Sequence, residues 1–563
     1  MSPTSEKRHD DVAPPAVADI SAAGKANETI VPDAKSDTAN PPLPGNRKEP
    51  PPEKPEDVRR RSFIVASFWL IVLFLGLPIW WKTTTIYRAD LPLSEMMDWA
   101  DGKACTPVFA IRIALDTSGL GEEESYNLMS ITQQALDAMG DFAAQRLQLE
   151  PLPSTGADYM NAPSHDSDAA LVVRLRPGQT MTASLHSRSP VLDVTYPPNS
   201  IPSPTANSSD FATYLATQLR ETFSEERDVM SYLLATYTTH AEPRPQGSLR
   251  DAAEASLSKR MTRSLKYSRT YHLTFSLFTN GPTPSSWDVD SAIDEYMRPI
   301  LDMLGPIHNF TIDTQVQLYA SPGVQSQVLT KEDLSSFINA AEWPLSPSIG
   351  GSPTVNFVMY VGNQTVGPDP GALESGSSHS WLIPQWGSVY LLPPPATDHI
   401  RSELLKQPIL TFTSHLLSLL NTPQTGPLPM RLSTLTRIRS ADLLLRASSS
   451  LGSLARLSLA LPSISIPPSV ADGVTKSMRH LRSACSHLGG TDGLEHARIA
   501  EAEAERAFFE KSMVGQLYFP DEHKVAIYLP LLGPVGVPLV IGLLSQVKAW
   551  KKRSREEKAK KKA

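Results

Sequence analysis

The chain has 563 residues, 40% of them hydrophobic and 20% charged, with a formal net charge of −7. That length allows one to three domains, and the mild acidic balance with no strongly basic domain argues against a nucleic-acid partner. The two cysteines, Cys105 and Cys485, exclude a disulfide framework and a four-cysteine metal site.

Residues 1–61 are rich in proline and reach no aromatic until Phe63. Such a stretch buries too little apolar surface to offset its ordering entropy, so it is expected to be a disordered tail. The run Lys48-Glu-Pro-Pro-Pro-Glu-Lys-Pro55 within it could serve an SH3-like partner.

Phe63–Trp81 carries no charge. At ~1.5 Å per residue it nearly crosses a ~30 Å hydrocarbon core. Arg59, Arg60 and Arg61 precede it, and Trp80, Trp81 and Lys82 follow. Basic residues favour the cytoplasmic side, so a first span over 62–82 places the N-terminus in the cytoplasm. Val525–Val547 is a second uncharged run, followed by Lys548, Lys551, Lys552, Arg553 and Arg555. The same rule puts that end in the cytoplasm, with residues 548–563 as a basic tail. Residues 83–524 are then expected in the lumen. Pro530, Pro534 and Pro538 fall on one face of the second span and free backbone carbonyls, while Gly533, Gly536 and Gly542 allow close approach. A bent helix packed against others is expected. Lys560 and Lys561 stand fourth and third from the C-terminus. On a cytoplasmic tail this dilysine pattern reads as an endoplasmic-reticulum retrieval address, or as a plain basic stop-transfer flank.

Between the spans, period-two alternation marks strands at Phe109–Leu115, Leu171–Leu175, Tyr271–Leu277 and Val355–Val361. Leu128, Ile131, Ala135, Ala138 and Phe142 recur at helical spacing. The elements fall into two halves. The first, 107–240, reads strand (107–116), helix (123–148), strands (169–176, 180–186, 190–196), helix (209–238). The second, 266–421, reads strand (270–279), helix (289–304) with a kink at Pro299, strands (309–320, 354–362, 388–392), helix (398–421), with a short helix at 331–341. An internal duplication is expected, with its seam at Glu242–Ser248. Residues 430–518 read as helical, broken by Pro462, Pro467 and Pro468. The fold class is therefore an α/β (α+β) lumenal domain with mixed sheets and a helical C-terminal part, flanked by two transmembrane helices.

The lumenal segment holds three N-x-S/T sequons, at Asn207, Asn309 and Asn363, as potential glycosylation sites. Asn27 also heads a sequon but is cytoplasmic by the orientation argument. Cys105 and Cys485 could pair in an oxidising lumen. Chemistry is harder to find. There is no G-x-S-x-G elbow, no H-E-x-x-H and no P-loop. Gly119-Leu-Gly121 is followed by three glutamates that would repel a pyrophosphate. Asp521, Glu522 and His523 read better as an interfacial turn than as metal ligands. No catalytic, cofactor or metal residue is assigned.

Several blocks carry a resemblance: Leu77-Pro-Ile-Trp-Trp-Lys-Thr-Thr84, Tyr87-Arg-Ala-Asp-Leu-Pro92, Phe310-Thr-Ile-Asp-Thr-Gln-Val316, Phe337-Ile-Asn-Ala-Ala-Glu-Trp-Pro344, Ile383-Pro-Gln-Trp-Gly387, Phe508-Phe-Glu-Lys511 and Tyr518-Phe-Pro-Asp-Glu-His-Lys-Val-Ala-Ile-Tyr-Leu-Pro530. In this order between two spans they resemble the PIG-S subunits of the glycosylphosphatidylinositol (GPI) transamidase, over about residues 60–545. The resemblance implies a non-catalytic subunit in the endoplasmic reticulum membrane. It implies PIG-K, the cysteine-protease-like subunit, together with PIG-T, PIG-U and the GAA subunit, as partners. The rival readings are an autonomous lumenal hydrolase or glycan-processing enzyme, and a membrane tether whose proline-rich tail recruits cytoplasmic partners. Trp343 and the Pro384-Gln-Trp-Gly387 stretch are expected to be structural.

Overall fold

A computed structural model describes residues 54–84, 87–140, 144–152, 169–237, 249–339, 343, 351–367, 378–462, 464–515 and 521–560. The chain groups into two units, Met1–Ile79 with Gly533–Ala563, and Trp80–Leu532.

In the first unit, helix α1 (Pro55–Ile71) passes through a π-helical turn (Val72–Gly76) into α2 (Leu77–Thr84). It therefore opens inside the segment assigned to the tail, because Pro55 suits a first helical turn and Glu56 and Asp57 favour its positive end. The remainder of that tail lies outside the described residues. The last helix of the chain, Asp521–Lys560, extends past the expected 525–547 at both ends. Its helical assignment runs unbroken through Pro530, Pro534 and Pro538. Both segments are long and apolar enough to cross a membrane, Glu56–Lys82 and Ala526–Glu556. They pack on each other. Val65 lies 3.5 Å from where a β-carbon on Gly542 would stand. The Trp69 indole donates to the Leu539 carbonyl at 3.4 Å.

The second unit opens with α3 (Leu93–Ala100), which sequence periodicity did not reveal. The first half follows: β1 (Phe109–Asp116), α4 (Glu122–Ala138), β2 (Gln145–Pro151), β3 (Leu171–Pro177), β4 (Thr182–Leu185), β5 (Val191–Tyr196), α5 (Asp210–Thr222) and α6 (Ser224–Tyr237). After α7 (Leu249–Arg263) comes the second: β6 (Thr270–Thr279), α8 (Val289–Tyr296), α9 (Arg298–Leu304), β7 (Asn309–Gln317), β8 (Thr354–Val361), β9 (Ser380–Ile383), β10 (Gly387–Leu392) and α10 (Ser402–Leu419). The two five-stranded sheets share one topology, β2-β1-β3-β5-β4 and β7-β6-β8-β10-β9. In each, three strand pairs are parallel and only the last hairpin is antiparallel. Element for element, β1–β5 correspond to β6–β10.

This correspondence differs in detail from the element order expected from the sequence. The helix expected to reach residue 148 ends at Ala138, where Gly140 takes a positive φ of 62°, and β2 occupies 145–151. Strand β9 had no sequence signal at all. The expected helix 209–238 breaks at Phe223 into α5 and α6. The expected kink at Pro299 is a break at Met297, with Pro299 in the first turn of α9. The seam at Glu242–Ser248 lies outside the described residues.

β8 is buried along almost its whole length, as suits a central strand flanked by parallel neighbours. The first sheet packs Ile111, Ile113, Leu115, Val173 and Val194 with Leu128, Phe211 and Leu215 from its helices. The second packs Leu273, Phe275, Phe357 and Met359 on Phe412 and Leu416 of α10.

The C-terminal helices are α11 (Leu428–Ala460), α12 (Pro468–Ser486) and α13 (Thr491–Phe508). The helix Asp521–Lys560 is labelled α14. The stripe Leu444, Ala447, Leu451 and Leu454 is buried against Val474, Leu481, Ala497, Ala500 and Ala504. Small residues let α12 and α13 approach closely, with Ala507 standing 3.2 Å from a β-carbon position on Gly473. Arg88 caps the end of α11, its guanidinium donating to the carbonyls of Ser458, Leu461 and Pro462 at 2.7, 3.2 and 2.8 Å. A cation there complements the negative end of the helix.

Candidate functional site

The first place to look in a mostly parallel sheet is the carboxyl ends of its strands, at the switch point where strand order reverses. In the first sheet that point lies beside β1, where Gly119-Leu-Gly121 leads into α4. The Gly121 amide donates to Glu124 Oε2 at 3.3 Å, and Glu122, Glu123 and Glu124 fill the first turn. The helix end is capped by its own carboxylate, which leaves it unsuited to an anion. In the second sheet the corresponding end is packed with aromatics. Trp343, 2% exposed, stacks on Phe278 at 4.4 Å and on Tyr360 at 5.9 Å. Its indole donates to the Ser321 carbonyl at 3.1 Å. Phe337 and Trp381 close the cluster.

The Ile383–Gly387 block forms the β9–β10 turn. Gln385 sits in the left-handed region with φ 58°, and its amide donates to the Thr262 carbonyl at 2.6 Å. Gly387 has φ 151° and meets the Asn356 backbone directly. Both blocks thus serve the packing.

The nearest approach to a catalytic constellation is on the open face of β6 and β7. His272 bonds Thr311 Oγ1 through Nδ1 and Asp313 through Nε2, each at 2.7 Å. His272 faces Thr311 in register, so the trio is a cross-strand polar ladder. Thr311 is also the third residue of the Asn309 sequon. An imidazole pair, His480 and His496, places ring nitrogens 3.1 Å apart across α12 and α13. No group of three or more His, Cys, Asp or Glu able to hold a metal occurs among the described residues.

The sequon asparagines Asn207, Asn309 and Asn363 are all exposed: Asn207 ahead of α5, Asn309 at the start of edge strand β7, and Asn363 just past β8. Cys105 and Cys485 form a disulfide with Cα atoms 6.4 Å apart, tying the segment after α3 to the end of α12. That bond consumes the thiol beside His487. Asp521, Glu522 and His523 open α14, and Lys560 closes it. Lys561 lies outside the described residues. Loss of the disulfide should be felt, because it closes a chain separation of 380 residues. Cys105→Ser and Cys485→Ser should each lower unfolding stability by about 2–4 kcal/mol, and the double variant no further. Denaturant unfolding of the purified chain measures this.

Ionic groups inside the domain join the two halves to the C-terminal helices. Glu226 of α6 meets Arg437 of α11 through two bonds of 2.6 Å, and Thr434 Oγ1 donates to the same carboxylate at 2.8 Å. Their side chains are 1% and 5% exposed. Further along, the Arg498 guanidinium donates to Tyr267 at 2.7 Å and to the Ile307 carbonyl at 3.1 Å. Beside it His308 is buried between the Tyr267 and Tyr271 rings, its Nδ1 2.8 Å from the Ser268 carbonyl. Burial, reinforced by Arg439 and Arg498, drives its pKa down to about 3. His308 is neutral when folded, whereas the unfolded imidazole takes a proton near its ordinary value of 6.5. Stability is therefore fully present above about pH 6.5 and lost as pH falls toward 3. At ~1.4 kcal/mol per pKa unit the loss amounts to a few kcal/mol. His308→Gln should flatten that acid limb in urea titrations run across pH.

The sequence matches the family described as PIG-S, phosphatidylinositol-glycan biosynthesis class S protein, over residues 67–553. It is 26% identical to the bovine "GPI-anchor transamidase component PIGS", covering 88% of this chain and 97% of that protein. It is 26% identical to the fission-yeast "GPI transamidase component PIG-S homolog", over 88% and 85% of the two chains. It is 23% identical to the budding-yeast "GPI transamidase component GPI17", over 88% and 93%. With a match that reaches into both apolar helices and takes in both sheets, this chain belongs to the PIG-S family.

Proposed function

We propose that this chain is a non-catalytic structural subunit of the GPI transamidase of the endoplasmic reticulum membrane, supporting attachment of GPI to the C-terminus of precursor proteins. The observation that carries this reading is the family match spanning residues 67 to 553, in a family whose curated relatives are named transamidase components. In this reading the catalytic cysteine chemistry belongs to PIG-K, and PIG-T, PIG-U and the GAA subunit are the other partners. Both apolar helices span the bilayer, the termini face the cytoplasm, and residues 83–524 stand in the lumen. Basic residues at the outer end of each apolar run support that orientation. The exposed sequons at Asn207, Asn309 and Asn363 suit glycan addition there, and the disulfide suits an oxidising compartment. The two sheets of equal topology support descent from one duplicated unit.

Deleting the gene in its own cells should remove GPI-anchored reporters from the surface, and tagged full-length chain should restore them while co-purifying the other subunits. Restored anchoring by a His272→Ala, Asp313→Ala chain, which leaves the Asn309 sequon intact, separates the scaffold from the hydrolase reading. Restoration by a chain lacking residues 1–53 separates it from the tether reading. Failure of the His272→Ala, Asp313→Ala chain, with its fold and assembly intact, would sink the non-catalytic assignment.

A further inference from the structure

The apolar part of α14 ends at Val547, yet the helix continues to Lys560. Along that extension Lys548, Lys551, Lys552 and Arg555 recur at i, i+3, i+4 and i+7, which places four cations on one face. All four are exposed. They line one open groove of about 430 Å³ on the helix surface, completed by Glu556 and Ala559. A single carboxylate against four cations leaves the lining net positive. The neighbouring helix adds to the same level. Gly542 and Val65 are in register across the two helices. Lys548 lies six residues past Gly542, and Arg59 six before Val65. The helices run antiparallel, so both steps lead ~9 Å in the same direction. Exposed Arg59 and Arg60 therefore stand level with Lys548. Trp550, 69% exposed, projects from the first turn beyond the apolar run, as an interfacial anchor would.

We propose that this basic face is a docking site for anionic phospholipid headgroups in the leaflet it borders. The inference rests on the two helices spanning a bilayer, as set out under the proposed function, and adds a bound lipid class to that arrangement. A diffuse stop-transfer flank would scatter its charge around the helix. Here four cations share one groove that starts at the hydrocarbon boundary and runs about two helical turns beyond it. A phosphodiester carrying net negative charge can lie in that groove while its acyl chains lie along the apolar helix below. This position favours a lipid over a free phosphate. Clusters of four or more cations just outside a span attract anionic lipid by ~1 kcal/mol each, and two helices pool their charge here.

The test uses the full chain purified in non-ionic detergent, exchanged with phosphatidylserine or phosphatidylcholine and weighed by native mass spectrometry. Wild-type chain should retain phosphatidylserine in preference. K548Q/K551Q/K552Q/R555Q should lower that retention by about ten-fold or more, leaving phosphatidylcholine unchanged. K548R/K551R/K552R should keep it. Unaltered phosphatidylserine retention in the glutamine variant, or its loss in the arginine variant, overturns the proposal. So does displacement by soluble glycerophosphoserine at equal concentration, which would make this a free-phosphate site. Protease protection in sealed microsomes reads sidedness separately. A lumenal α14 end would sink the two-span reading while the detergent measurement, which has no sides, still judged the lipid site.

Discussion

Replacing Arg437 by methionine should destabilise the domain by about 3–5 kcal/mol. The cause is the group left behind. Glu226 has a 1% exposed side chain, and two of its bonds come from the Arg437 guanidinium. Thr434 alone would then face a carboxylate that water cannot reach. The paired change Glu226→Leu with Arg437→Met should be close to wild type or more stable, because removing both charges also removes their desolvation cost. Denaturant unfolding of the full chain in detergent, followed by tryptophan fluorescence, measures both. A double variant as unstable as the single would show that the pair contributes through packing and not through charge. Because α6 belongs to the first half and α11 to the helical part, the single variant should also lower the yield of the assembled complex.

Gly387→Ala should cost about 3 kcal/mol or more, a size reserved for a short list of mechanisms. Two of them act at once here. Its φ of 151° is a conformation that side-chain-bearing residues rarely adopt, and an added β-carbon would stand 1.9 Å from the Asn356 carbonyl oxygen. That oxygen is backbone on the central strand β8, so it cannot swing aside. Gly119→Ala is the matched control. Its β-carbon meets nothing within 4 Å, and the expected change is within ~0.5 kcal/mol. A loss at Gly387 as small as that at Gly119 would mean that the β9–β10 turn tolerates rearrangement.

Much of the architecture could be read from periodicity. The strands at Phe109–Asp116, Thr270–Thr279 and Thr354–Val361 announce themselves because apolar residues alternate or run together. The stripe on α11 did the same at helical spacing. β2 was hidden because Gln-Arg-Leu-Gln-Leu-Glu follows a strong helix without a proline, and only Gly140 marks the stop. β9 has four residues, too few for a period to show. The blocks around Trp343 and Gln385 were legible as motifs, but their roles were not. Stacking on Phe278 and donating to Thr262 depend on residues far along the chain.

The sequence by itself determined the two apolar helices, the alternation that makes the sheets, the membership in the PIG-S family and the lack of familiar catalytic motifs. The helices and the alternation are local properties, set by neighbours within a few turns or strands. The shared topology of the two sheets, the burial of Glu226 against Arg437, the joining of Cys105 to Cys485 and the closeness of Gly387 to β8 were decided only in three dimensions. Each depends on contacts between residues tens to hundreds of positions apart. Their cost in loop closure grows slowly with distance, so spacing along the chain carries almost no record of which residues meet.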